Sequence, residues 1–144
     1  MRIPDVNVLV GAYRADDPRH DDLRAWLREA LSSREGFGLT PGVATGFVRI
    51  VTNPRVFATP TPIDTALGQL EQLRAFPRTS WLQPGPQHWQ IFSRLCREAD
   101  ARGNLVADAA HAAVAIEHGA IWVTLDRDFA RFPGLLWEVP RLTR

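Results

Sequence analysis

Short apolar runs alternate with longer amphipathic segments along this chain, and the first and clearest run stops at an acid. The run that opens at Arg2 ends as a strand near Asp5 or Val6 and turns there into a helix or turn, and Ala120-Ile121-Trp122-Val123-Thr124 leads through Leu125 into Asp126. Both read as buried strands, joined by the weaker candidates Gly36–Leu39, Ser80–Leu82 and Leu135–Trp137. Between Asp21 and Ser33, apolar residues recur as Leu23, Trp26, Leu27, Ala30 and Leu31, the spacing of one helix face. Thr40-Pro41 gives a cap followed by Pro at the first helical position, and that helix runs to Asn53-Pro54. Thr61-Pro62-Ile63-Asp64 repeats the signal for a helix to about Phe76. Helices also follow over His88 to about Ala101 and Asp108 to His118, the second ending at Gly119. Strands alternating with helices predict one α/β domain over residues 1–144 with a largely parallel sheet.

Composition removes several kinds of chemistry. All 17 basic residues are Arg, so there is no Lys for a Walker-A phosphate loop or a Schiff base. The single Cys96 allows neither an internal disulfide nor a Cys-cluster zinc site, in keeping with a reducing cytoplasm. No apolar run is long enough to span a bilayer, and no signal-peptide pattern opens the chain. A formal net charge of +1 argues against a broadly basic, nucleic-acid-coating protein.

In open parallel sheets, ligands sit beyond the carboxyl ends of the strands where the strand order reverses. Asp5 and the Asp126/Asp128 pair fall at strand ends, and Asp108 opens the Ala-rich helix. Carboxylates gathered at one rim repel one another unless a cation is present, and hard oxygen donors suit Mg²⁺ or Mn²⁺. Each acid also has a structural use: Asp108 as a helix cap, Asp5 in a strand-end turn, Asp126 or Asp128 capping the segment after the strand. In an extended Asp-x-Asp the two side chains point apart, so only one is expected to be a direct ligand, Asp126, which lies nearer the strand.

Three segments carry a family resemblance: Asp5-Val6-Asn7-Val8-Leu9, Asn104 to His111, and Val123-Thr124-Leu125-Asp126-Arg127-Asp128-Phe129. In order and spacing they resemble the acidic motifs of PIN-domain ribonucleases, in particular VapC-type toxins of toxin–antitoxin pairs. Phe47 to Phe57 is similar to the mid-chain segment of the mycobacterial-type subgroup. The resemblance implies an α/β/α sandwich, endoribonuclease activity dependent on Mg²⁺ or Mn²⁺, a homodimer, and neutralisation by a cognate antitoxin. It carries the metal-binding and catalytic roles to Asp5, Asp108 and Asp126, with Asp128, Thr124 and Asn7 as outer-shell positions.

One position departs from the pattern. Many PIN domains place a Glu on the helix after the second strand; that register falls on Gly46, and no acid lies between Glu35 and Asp64. The site then uses three carboxylates and more water, borrows an acid from elsewhere, or is a weakened nuclease; the first is expected here. Arg49 and Arg127 are the expected RNA phosphate contacts, with Arg55 and Arg131 nearby, because guanidinium forks bind phosphate bidentately. His111, three residues after Asp108, either touches substrate or packs. Two rivals stay open: a PIN-like RNA- or protein-binding module with little catalysis, motivated by Gly46, and a phosphatase built on Asp5. Asn7 and the missing Lys argue against the second.

Overall fold

The computed structural model describes residues 1–143; Arg144, the last position of the expected 1–144 domain, lies outside the described residues. Five short strands, β1 (Arg2–Pro4), β2 (Phe37–Leu39), β3 (Thr79–Trp81), β4 (Ile121–Val123) and β5 (Trp137–Glu138), form one sheet in the order β3-β2-β1-β4-β5. Every pairing is parallel. Six helices connect them: α1 (Val6–Tyr13), α2 (His20–Ser32), α3 (Pro41–Val51), α4 (Ile63–Ala75), α5 (His88–Glu98) and α6 (Asn104–Glu117). Helices α1 to α4 pack among themselves and α5 packs on α6, giving the PIN-like α/β/α sandwich.

The strand order reverses between β1 and β4, so the switch point falls where Asp5 and Thr124 leave the sheet. Register there is tight: Ile3 pairs with Trp122, Pro4 with Val123, and the Asp5 N–H donates to the Val123 carbonyl at 2.7 Å. On its other side β1 meets β2 through the single pair Arg2 and Phe37, and Pro4 has no N–H to extend that ladder. The core on the α6 side is aromatic. Trp122 is fully buried, with the His111 ring stacked 5.2 Å away and Phe129 at 5.3 Å.

Several boundaries differ from expectation, each for a local reason. Helix α6 starts at Asn104, so Asp108 lies a full turn inside the helix and is not its cap. Helix α4 starts at Ile63 without a side-chain cap. Thr61 is unavailable because its hydroxyl accepts from Arg14 (3.2 Å) and its N–H goes to the Val51 carbonyl. Arg14 also lies 3.9 Å over the Phe57 ring, tying the loop after α3 to the end of α1. The last strand is Trp137–Glu138, because the Leu135 N–H is taken by a turn to Phe132. Helix α5 ends at Glu98, short of Ala101, and Asp100 turns the chain with φ 47°. Trp89, on α5, is 71% exposed.

Candidate active site

One hydroxyl, that of Thr124, links the chain at Asp5 to the chain at Asp126. Asp5 caps α1, its Oδ1 accepting from the Val6 N–H at 2.6 Å, while Oδ2 accepts from Thr124 Oγ1 at 2.6 Å and Asn7 Nδ2 at 3.3 Å. The buried Thr124 hydroxyl in turn accepts from the Asp126 N–H at 3.0 Å. Asn7 closes the network by accepting from the Leu125 N–H at 3.2 Å. The chain exits of β1 and β4 are therefore joined by side chains that share their few protons without leaving a polar atom idle.

Past Asp126 the chain is not extended. Asp126 caps a short 3₁₀ turn, Arg127–Arg131, by accepting from the Asp128 N–H at 2.9 Å. The turn brings both carboxyls to the same cleft, against the expectation that Asp-x-Asp would point them apart. Phe129, buried against Trp122 and Phe132, anchors the turn. The open cleft has a volume of about 550 Å³ and is walled by Asp108, Asp126, Asp128 and Arg131, with Asp100 and Arg102 across the α5–α6 turn. Asp5 is 8% exposed and borders the acids from within the protein, not as part of the cleft wall.

Charge crowding is evident at Asp108. Burial and the neighbouring carboxylates Asp5, Asp126 and Asp128 push its pKa up to about 6. Burial also raises Asp5, against the opposing pull of the Thr124 hydroxyl, His111 and the Val6 N–H. His111 is pushed the other way by burial, countered by the Asp5 charge. Among the described residues no three carboxylate, imidazole or thiol groups close into a ready-made metal cage. A hydrated Mg²⁺ or Mn²⁺ asks for less, since such ions keep several waters and use one or two carboxylates. The donors are all hard oxygens and they repel one another, so Asp108, Asp126, Asp128 and Asp5 fit that kind of ion and not a fully dehydrated one.

The remaining expected positions scatter. Arg131 lines the cleft; Arg127 is exposed on the 3₁₀ turn, and Arg55 is exposed in the loop after α3. Arg49 lies elsewhere, on a groove between α3 and α4 beside Val48, Leu67 and Leu70. Asp100 and Arg102 were not singled out in the sequence; they reach the cleft because the chain reverses between α5 and α6, and they pair with each other at 3.2 Å. At Gly46 a Cβ would come within 2.7 Å of Val6 Cγ2. Helix α3 thus presses onto the first turn of α1, and a Glu side chain there would have to displace Val6.

The PIN domain family model matches residues 2–135. Ribonuclease VapC43 of Mycobacterium tuberculosis is 46% identical over 140 residues, covering 97% of this chain and 95% of that protein. Ribonuclease VapC25 of the same organism is 42% identical over 132 residues, covering 92% and 93%. Among solved structures, VapBC2 from Rickettsia felis bound to a promoter DNA fragment superposes with a TM-score of 0.72 at 18% identity, covering 97% of this chain and 98% of that one. DNA-bound VapBC from Salmonella typhimurium gives 0.67 at 16% identity, covering 96% of each. These two likenesses speak to the fold, and the sequence relatives to ancestry. With its acids at the β1/β4 switch point and a family match over nearly its whole length, the chain belongs to the PIN-domain family.

Proposed function

We propose that this protein is a divalent-metal-dependent endoribonuclease, the toxin of a toxin–antitoxin pair, with residues 1–144 acting as one PIN domain in the cytoplasm. The observation that carries the reading is the gathering of Asp5, Asp108, Asp126 and Asp128 at one rim, where Asp108 is held at about 6 by its neighbours. Support comes from relatives named ribonucleases and from fold neighbours that are toxin–antitoxin complexes. By the same kinship we assign a cognate antitoxin and a second copy of the chain as partners.

In this reading Asp108, Asp126 and Asp5 hold Mg²⁺ or Mn²⁺, with Asp128 outside them. When bound, the ion supplies positive charge that offsets the phosphate and acidifies water. Thr124 and Asn7 fix the Asp5 carboxylate, and Thr124 sets the position of Asp126 through its backbone N–H. Arg131 on the cleft wall and Arg127 beside it are suited to orient the RNA backbone; Arg49, on the α3–α4 groove, stands apart from these contacts.

RNA cleavage by the full chain should appear with Mg²⁺ or Mn²⁺ and stop in excess EDTA. Asp108→Asn should lower the rate at least about 100-fold while the fold survives. Equal cleavage in EDTA, or full activity in both Asp5→Asn and Asp108→Asn, refutes the metal mechanism. One observation favours the rival binding module: α3 offers no carboxylate and Val6 fills the space beside Gly46. Tight RNA binding without cleavage across many substrates, and without Mn²⁺ binding by calorimetry, would select it.

A further inference from the structure

On the helix face of α6 next to the one that carries Asp108 lies a second concavity, of about 330 Å³, lined by Thr40, Pro41, Pro84, Ala107, Ala110 and His111. Its walls are mostly apolar and carry no Arg, so a phosphate has no counter-charge there. His111 forms one end. One face of its ring is stacked on Trp122, which fixes its orientation. The buried side-chain atoms left without a partner among the described residues include Trp122 Nε1 but neither nitrogen of His111. The imidazole nitrogens make no hydrogen bond among those residues and are not fully sealed from solvent.

Gly42 keeps that opening. A Cβ on it would stand 3.3 Å from His111 Cε1, crowding the ring edge. Thr40 adds a hydroxyl whose lone pair serves the Val43 N–H at 3.1 Å, leaving its proton to donate. Apolar walls, a locked ring and one or two unspent hydrogen-bonding groups are the features that hold a flat heteroaromatic ligand. The volume stands at the small end of the roughly 300–1,000 Å³ usual for ligand sites. The pocket also adjoins the acids directly: Ala107 precedes Asp108, and His111 follows it by one turn of α6.

We propose that this pocket seats one nucleobase of the RNA, that of a nucleotide next to the phosphate held at the acidic rim. The inference rests on the ribonuclease reading for its ligand, and on the α3–α6 geometry for its place. A base so held gives the enzyme a sequence preference beside the cut, with His111 and Thr40 touching its edge.

Two measurements on the full chain with Mg²⁺ test it. First, the His111 ring signals are followed by NMR while AMP, GMP, CMP, UMP or ribose 5-phosphate is added. At least one nucleotide should shift them, ribose 5-phosphate should not, and the shift should vanish in Ala107→Leu, which fills the pocket. Second, cut ends from a randomised RNA are sequenced for both proteins; the base preference next to the cut should fall about tenfold in the variant, the order expected for losing one base contact. Ala110→Leu serves where Ala107→Leu fails to fold. RNA cleavage with no nucleotide-specific shift and an unchanged preference overturns the pocket, as does an equal shift from ribose 5-phosphate. Nucleotide binding at His111 by a protein that cleaves no RNA leaves the pocket standing and removes the nuclease reading.

Discussion

Two groups of acids in this protein have opposite surroundings. At the start of β1, Glu35 and Glu138 are both paired to Arg2, the Glu138 contact at 2.6 Å, and the guanidinium is held more firmly protonated by them. At the end of β1, Asp5, Asp108, Asp126 and Asp128 crowd together, and burial with mutual repulsion pushes Asp108 to about 6. One cluster is balanced by a cation from the chain itself. Among the described residues no ion pair balances the other, although Arg131 lines its cleft. Neutralising a carboxyl should therefore loosen the first cluster and relax the second, a contrast that separates residues kept for the fold from residues kept for chemistry.

The largest expected effect is on activity: Asp108→Asn should cost at least about 100-fold in RNA cleavage. The same variant should melt higher than the parent at pH 7 in EDTA, whereas an unchanged or lower melting temperature would break the contrast. Next in size is the aromatic support beneath the rim. Trp122→Ala removes a fully buried ring that stacks on His111 and packs at a tilt against Phe129, and a loss of about 3–5 kcal/mol in denaturant unfolding is expected. Thr124→Val keeps the shape but takes a donor from Asp5 and an acceptor from the Asp126 N–H. It should cost about 1–3 kcal/mol and depress cleavage as well, checked by unfolding and rate assays side by side.

Smaller still is a pH effect with a definite sign. The Asp108 carboxyl ordinarily titrates near 3.8 and in the fold near 6, so the folded chain holds its proton more tightly than the unfolded chain. Its stabilising contribution is complete below about pH 4 and is lost as the pH rises through 6. In metal-free protein Asp108→Asn should thus gain in melting temperature over the parent at pH 7 and lose most of that gain at pH 5, a comparison that cancels the opposing titration of buried His111. Saturating Mg²⁺ at pH 7 should also raise the melting temperature, because a ligand that binds only the folded chain stabilises it. The smallest effect belongs to the balanced cluster: Arg2→Met should lose no more than about 1 kcal/mol, since this pair is partly exposed.

The fold was legible where a signal is local. Ile3 to Asp5 and Ala120 to Thr124 read as strands from their apolar runs, and Thr40-Pro41 read as a helix start that the Thr40–Val43 hydrogen bond bears out. Local signals failed where a distant residue intervened. Thr61 looks like a cap in one dimension and is claimed by Arg14, 47 residues away. Asp108 looks like a cap because Asn104 to Ala107 carries no strong helix-start signal, yet the helix begins at Asn104.

The sequence by itself determined the alternation of strands and helices, the family, and the three acids set at strand ends and on the Ala-rich helix. Each depends on residue type and short-range spacing, which one dimension records. Only the tertiary structure decided that the 3₁₀ turn sends Asp126 and Asp128 into one cleft. It alone decided that Thr124 ties Asp5 to Asp126, that Arg49 lies on another face, and that Gly46 yields its space to Val6. Those outcomes depend on strand order and on how closely helices approach. A carboxylate's neighbours 100 residues away in the chain are set by the parallel register of β1 against β4, which no local spacing encodes.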